Sequence, residues 1–260
     1  MNIIDKVKNG IPAIGSWVNS ASPILAELMA QSGFDFLTID VEHSAIDLPQ
    51  TQCLFQAINS GNPNCSSFVR LPDTNYSSTK RYLDAGANGV IAPLVNTPEQ
   101  ASELVEGVKY PPLGNRGVGF CRANNYGIRL EEAFNKSNSE TLVCIQIEHI
   151  KGVNNIREIL DIDGIDVVFI GPYDLTASMG ITGQFEHPEY LDARREVLSI
   201  CKEKNIIAGI HVVKPDANEV KERIKDGFLL VGYSLDITII TDNCYNFINN
   251  INGYIRNPLG

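Results

Sequence analysis

Thr141-Leu-Val-Cys-Ile-Gln-Ile-Glu148 and Asp166-Val-Val-Phe-Ile-Gly-Pro-Tyr-Asp174 are two apolar runs that each end on a carboxylate. Both are short, rich in β-branched residues and almost continuously hydrophobic, the pattern of a parallel strand covered on both faces. A carboxylate set where such a strand emerges is costly to bury unless a partner meets it. In parallel α/β proteins the carboxyl ends of the strands are where ligands bind. Glu148 and Asp174, on consecutive strands, therefore point to a divalent-metal site open to substrate. The competing reading is that both acids cap helices or form ion pairs.

Similar runs recur on either side. Strands are expected at 11–18, 34–42, 65–72, 89–94, 141–148, 166–174, 206–213 and 228–235. Helices are expected at 22–32, 48–60, 75–86, 97–109, 149–161, 188–204, 215–226 and 237–255. Eight strands, each followed by a helix, is the count of a (β/α)8 TIM barrel, and 260 residues is the size of one such domain, so 1–260 reads as a single barrel. A doubly wound open sheet competes, but eight regular units would be long for it. No glycine-rich phosphate loop follows any strand, which argues against a nucleotide site.

Local punctuation agrees with this division. Ser22-Pro23 and Thr97-Pro98-Glu-Gln100 read as helix starts, the second as a capping box. Asp216 opens another helix and Gly227 closes it. The segment 110–140 is expected to be a long irregular loop that covers substrate, since it mixes prolines and glycines with Arg116 and Arg122. The final segment 241–260, with Phe247, Ile248, Ile251 and Tyr254, is either a subunit-interface element or an ordinary last barrel helix.

Composition narrows the function classes. A net charge of −10 with no basic stripe excludes a nucleic-acid partner. No run approaches a membrane span and the amino-terminal residues lack the apolar core of a signal peptide, so no membrane partner is expected. The six cysteines show no metal-ligand spacing and several sit in apolar runs, which suits a reducing, cytoplasmic compartment.

Further polar residues fall at strand ends. His43 follows a strand ending Ile39-Asp40-Val-Glu42, with carboxylates one and three residues before it, and is placed to act as a general base. Arg70, leaving the third strand, can offer its planar fork to a carboxylate or enolate, or it pairs with a neighbouring acid. Gln146 shares a strand face with Glu148. The turn Gly171-Pro172-Tyr173-Asp174 presents backbone amides, other than that of the proline, that suit an anion. His211 lies on the seventh strand and lines the pocket or sits in the core. His149 and His187 read as helix starts. Together these groups fit enolisation of a 2-oxo acid assisted by Mg²⁺ or Mn²⁺. No strand-end lysine offers a Schiff-base route.

The motifs Gly15-Ser-Trp17, Ile39-Asp40-Val-Glu42-His43, Val69-Arg70, Leu83-Asp84-Ala-Gly86, Tyr110-Pro-Pro-Leu-Gly-Asn-Arg116, Gln146-Ile-Glu148 and Phe169-Ile-Gly-Pro-Tyr-Asp174 resemble the HpcH/HpaI metal-dependent class II pyruvate aldolases over about 12–240. The resemblance implies a TIM-type barrel, a hexamer built as a trimer of dimers, and a carboxyl-terminal helix exchanged between paired subunits. It implies metal ligands at Glu148 and Asp174, with Mg²⁺, Mn²⁺ or Co²⁺ as the cofactor. It places the enolate arginine at Arg70, a pyruvate contact at Gln146, and the base at His43, supported by Asp40 and Asp84. Cys121-Arg122-Ala-Asn124 is similar to the branch acting on sugar-derived acids such as 2-dehydro-3-deoxyglucarate, whose loop covers the substrate. Tyr173, where a small residue is common, and His211, where an apolar one is, depart from the pattern and bear on the acceptor. The activity implied is reversible cleavage of a 4-hydroxy-2-oxo acid to pyruvate and an aldehyde. The alternatives are a lyase acting on a malyl- or citryl-thioester and a barrel retained as a binding protein.

Overall fold

The computed structural model describes residues 3–256, with side chains described as far as 252, so the side chain of Tyr254 lies outside the described residues. Among these residues the strands β1 (Ala13–Val18), β2 (Phe36–Asp40), β3 (Ser66–Arg70), β4 (Gly89–Ala92), β5 (Leu142–Ile147), β6 (Val167–Ile170), β7 (Ile207–Val212) and β8 (Leu230–Leu235) pair in parallel, in chain order, into a closed barrel. Closure is made by β1 against β8, with Ala13 beside Leu230. The open doubly wound sheet is thereby excluded.

The helices are α1 (Ile3–Lys8), α2 (Pro23–Gln31), α3 (Leu48–Gly61), α4 (Tyr76–Asp84), α5 (Pro98–Val108), α6 (Leu130–Glu140), α7 (Ile150–Asn154), α8 (Ile156–Ile159), α9 (Pro172–Ser178), α10 (Pro188–Lys204), α11 (Ala217–Asp226) and α12 (Asp236–Arg256). The expected caps form. Thr97 and Gln100 exchange capping-box bonds at the start of α5, Asp216 caps α11, and Gly227 ends α11 at φ 110°. His149 and His187 are N-caps, as their positions suggested. None of the described helices is long and apolar enough to cross a membrane.

The period-2 alternation of the strands positions the site. Phe36, Phe68, Leu142, Cys144, Val167, Phe169 and Ile207 belong to one buried cluster, while Leu37, Val69, Val143, Ile145, Val168 and Ile210 belong to the other, against the helices. Following the inward set toward the strand ends leads from Phe36 to Thr38 and Asp40, from Phe68 to Arg70, and from Leu142 and Cys144 to Gln146 and Glu148. The barrel is thus apolar at its amino-terminal end, where α1 adds Ile3, Ile4 and Val7, and polar at its carboxyl-terminal mouth.

Four expectations need correction. β6 stops at Ile170, because the next residues start a helix at Pro172, which has no amide proton for the ladder. Asp174 therefore stands in the first turn of α9 rather than on a strand end. The expected helix at 149–161 is broken at Asn155 into α7 and α8. The segment 110–140 is irregular only in its first part, since a 3-10 stretch at Arg122–Gly127 leads into α6. The amino-terminal helix α1 was not foreseen. Its three buried apolar residues are too few to show a period, and its place depends on the barrel beneath it.

Candidate active site

Asp40 is the anchor of the mouth. Its side chain is buried and accepts hydrogen bonds from Asn19 Nδ2 at 2.8 Å, from the backbone amides of Glu42 and His43 at 3.1 Å each, and from Arg70 Nε at 2.9 Å. Arg70 Nη2 donates to its other oxygen, so the pair is bidentate. Burial pushes the Asp40 carboxyl up, but the Arg70 hydrogen bonds and charge and the His43 amide outweigh it and hold the group below the usual carboxylate range. Asp40 thus stays ionised and serves to fix Arg70 and the His43 backbone. It touches the main chain of His43, whereas Glu42 Oε2 lies 3.6 Å from the His43 Nε2 and 3.4 Å from Arg70 Nε. The His43 ring itself is more than half exposed, open to a substrate above it.

Arg70 also lies over Trp17, with the guanidinium carbon 4.6 Å from the ring centroid. Trp17 and Asn19, leaving β1, are site residues that sequence reasoning passed over. The strand-end rule that selected Arg70 and Glu148 would have selected Asn19, one residue beyond β1.

Glu148 is 2% exposed and held from two sides. The Leu94 amide donates to Oε1 at 2.7 Å, and Gln146 Nε2 donates to Oε2. Leu94 takes a φ of 50°, a strained value for a branched side chain, and that backbone turn aims its amide at the carboxylate. Among the described residues no cationic side chain forms an ion pair with Glu148, and burial, despite the Leu94 amide, raises its carboxyl to about 8. Gln146 Oε1 is shielded with no hydrogen-bond partner. Asp174, exposed on α9, is close enough to Glu148 to add to its carboxyl's rise. A buried acid without a counter-ion beside a second acid suits a hard divalent cation. The described residues hold no group of three or more His, Cys, Asp or Glu able to cage one, so such an ion would keep open positions.

These residues border one cavity of about 240 Å³ at the barrel mouth, lined by Trp17, Asp40, His43, Arg70, Gln146 and Asp174. Gly171, Pro172, Tyr173 and His211 also line it, with Asn19, Val213 and Leu235. A Cβ on Gly171 would stand 2.6 Å from Gln146 Nε2 and 2.7 Å from Glu148 Oε2, so only glycine lets the turn approach this pair. His211 Nε2 lies 3.2 Å from the Ser234 carbonyl oxygen, and burial lowers its pKa to about 4, so the ring is neutral. A larger groove of about 730 Å³ lies at the other end of the barrel, against α1 and α10, and contains none of these groups.

Three of the expected site residues are elsewhere. Asp84, the last residue of α4, accepts from Arg116 Nη2 at 2.9 Å. The Arg122 guanidinium is 3.5 Å from the Ala85 carbonyl oxygen. Asn124 is buried within its own loop, donating to the Gly119 carbonyl at 2.6 Å and accepting from the Cys121 and Gly127 amides. Within one chain these three organise the 110–128 loop against α4 and do not line the mouth cavity.

Comparisons with known proteins assign this barrel to a family. The model of the HpcH/HpaI aldolase/citrate lyase family matches residues 13–242. The chain belongs to this family. It is 36% identical over 239 residues to a 4-hydroxy-2-oxo-heptane-1,7-dioate aldolase of Escherichia coli, covering 90% of this chain and 88% of that one. It is 33% identical over 236 residues to a hydroxypyruvate/pyruvate aldolase of Roseobacter denitrificans, covering 90% of each. Among solved structures, an HpcH/HpaI aldolase/citrate lyase family protein from Burkholderia cenocepacia superposes with a TM-score of 0.91 at 29% identity, covering 96% of this chain and 98% of that one. This member of the family keeps the barrel, and Tyr173 and His211 stand in the wall of its mouth.

Proposed function

We propose that this chain is a lyase that reversibly cleaves a 4-hydroxy-2-oxo acid to pyruvate and an aldehyde. The observation that carries the reading is the convergence of Arg70, Gln146 and Asp174 on one cavity whose rim carries an exposed histidine, with Glu148 buried behind it and hydrogen-bonded by Gln146. Membership of the family and the names of its aldolase relatives support it. Those two relatives are named for a dicarboxylic 4-hydroxy-2-oxo acid and for a pair of small 2-oxo acids, so a sugar-derived substrate needs support of its own.

Glu148 and Asp174 would hold a divalent cation, Mg²⁺, Mn²⁺ or Co²⁺. When bound, it supplies positive charge beside the 2-oxo group and lowers the cost of enolisation. Arg70, fixed by Asp40 and Trp17, directs its remaining N–H groups at the oxygen where negative charge develops. Gln146 and the Gly171 turn fix the position of the 2-oxo acid. In the cleavage direction His43 takes the proton of the 4-hydroxyl, the C3–C4 bond breaks, and the aldehyde leaves. The electron pair stays with the three-carbon fragment, which becomes pyruvate on gaining a proton at C3. Exchange of the pyruvate methyl protons for deuterium tests this reading. Exchange should require an added divalent cation and stop with EDTA; its absence with every divalent ion would refute it.

The assembly proposed is a hexamer, a trimer of dimers that exchange α12, in a cytoplasmic enzyme. Residues 241–252 of α12 are exposed throughout, and Ile237, Ile240, Cys244, Ile248 and Ile251 recur at helical spacing on it. Such an apolar stripe, exposed among the described residues, suits a second copy. Phe120 and Ile128, 78% and 86% exposed on the 110–128 loop, supply a second apolar patch for contacts between dimers.

A further inference from the structure

Two acids flank His43 in the chain, and their hydrogen bonding differs sharply. Asp40 is fully engaged. Its Oδ1 accepts from the backbone amides of Glu42 and His43 and from Arg70 Nε, and its Oδ2 accepts from Asn19 Nδ2 and Arg70 Nη2. A carboxylate offers about four lone-pair sites, so these donors leave none for an imidazole N–H. Asp84 of the same chain is outside the mouth, on Arg116.

Glu42 is in the opposite state. Its Oε2 is shielded from water and has no hydrogen-bond partner, which costs free energy. The same oxygen lies 3.6 Å from His43 Nε2 and 3.4 Å from Arg70 Nε. Among the described residues Glu42 is the only acid that forms an ion pair with the ring. Burial raises its carboxyl and outweighs the charges of Arg70 and His43, as expected of an acid whose partners stand beyond good hydrogen-bond length. Arg70 cannot approach without leaving Asp40, which holds it bidentately, and Trp17, on which it lies. His43 can. Its side chain is more than half exposed, so a small turn of the ring brings Nε2 onto the free oxygen.

The hydrogen bond made by one imidazole nitrogen decides which of the two carries the proton. We infer that Glu42, rather than Asp40, is the positioning residue of His43: it keeps a proton on Nε2 and leaves Nδ1 as the atom that takes the substrate proton. This rests on the aldol reading above. In cleavage the 4-hydroxyl proton passes to Nδ1, and the O–H electron pair becomes the second bond of the aldehyde carbonyl. The C3–C4 pair stays on C3. The ring is then a cation with an N–H on each nitrogen, and Glu42 balances that charge without gaining or losing a proton. Asp40 keeps Arg70 and the His43 main chain in place throughout.

The test uses the full chain with Mn²⁺ and, as the probe, 4-hydroxy-2-oxopentanoate, which yields pyruvate and acetaldehyde. Glu42→Gln keeps the size of the side chain and removes its charge. It should lower kcat for cleavage at least tenfold, with KM within threefold of the parent. Deuterium exchange into pyruvate involves no 4-hydroxyl, so it should stay within threefold, which also shows that the variant is folded and holds its metal. Added to His43→Asn, the same change should alter cleavage less than twofold, because Glu42 acts through the ring. Nitrogen-15 spectra of the neutral His43 ring in the parent should show the proton on Nε2. Unchanged cleavage in Glu42→Gln, a tenfold loss repeated beside His43→Asn, exchange falling in step with cleavage, or a ring protonated on Nδ1 overturns the assignment. The parent chain separates the two ideas. If it cleaves and exchanges while Glu42→Gln matches it, only the positioning role is wrong; if it does neither, the aldol reading fails and that role with it.

Discussion

Gly171→Ala places one methyl group against the two side chains on which the site depends. Gly171 has φ −94° and ψ 97°, values any residue adopts, so alanine brings no backbone strain. Its Cβ would meet Gln146 Nε2 at 2.6 Å and Glu148 Oε2 at 2.7 Å. Ordinary contact begins near 3.4 Å, so these atoms must retreat by about 0.7–0.8 Å. Both are far ends of side chains, while Glu148 Cβ at 3.0 Å must also give by a few tenths of an ångström, so the cost falls within the roughly 1–3 kcal/mol of an overpacked site. In a chain of this size that corresponds to a fall in Tm of about 2–12 °C. The functional cost is larger, because a misplacement of about 1 Å at reacting groups can reduce rate about 100-fold. Metal-dependent deuterium exchange into pyruvate should fall by about two orders of magnitude, with the circular dichroism spectrum of the parent chain retained. Exchange within threefold of the parent would refute the claim that Gln146 and Glu148 must hold these positions.

Arg70→Lys keeps the charge but loses the bidentate hold on Asp40 and the planar stack on Trp17, and exchange should drop about 100-fold, or ~3 kcal/mol; full activity by the same assay would refute the planar-fork argument. Glu148 has its folded pKa raised to about 8, so the unfolded chain ionises first as pH rises from about 4.5. The metal-free protein should therefore lose stability between about pH 4.5 and 8, and Glu148→Gln should remove that slope in thermal melts. Added Mn²⁺ should restore Tm toward pH 8 in the parent and not in Glu148→Gln. Phe247→Asp with Ile251→Asp should leave the barrel's circular dichroism intact and reduce the mass measured by light scattering to that of smaller species. His43→Asn should slow aldol cleavage about 100-fold while sparing pyruvate exchange, as expected of a base acting at the aldehyde oxygen; equal loss in both assays would move the base role elsewhere.

The architecture was open to sequence reasoning because it depends on periodicity. The inward positions along β5 and the residue after it are Leu142, Cys144, Gln146 and Glu148, and any parallel strand of that order turns its last two inward side chains toward the carboxyl-terminal mouth. Caps such as Thr97 with Gln100 depend on neighbours within four residues and were equally readable. The barrel, rather than an open sheet, followed from the number of units. The same local logic selected Arg70, Gln146 and Glu148 for the site, and the resemblance added Asp84, Arg122 and Asn124.

Only the tertiary structure decided what each polar group faces. Asp40 and Glu42 are both close to His43 in sequence, yet Asp40 turns inward to Arg70 and the main chain while Glu42 approaches the imidazole. Glu148 and Asp174, alike as ends of apolar runs, divide into a buried acid on the barrel and an exposed acid on a helix, because Pro172 ends the ladder. Asp84 takes Arg116 as its partner within its own chain, outside the mouth. Strand alternation determines which residues point inward. Partner choice depends on distances between segments far apart in the chain, and those exist only once β1 has closed on β8.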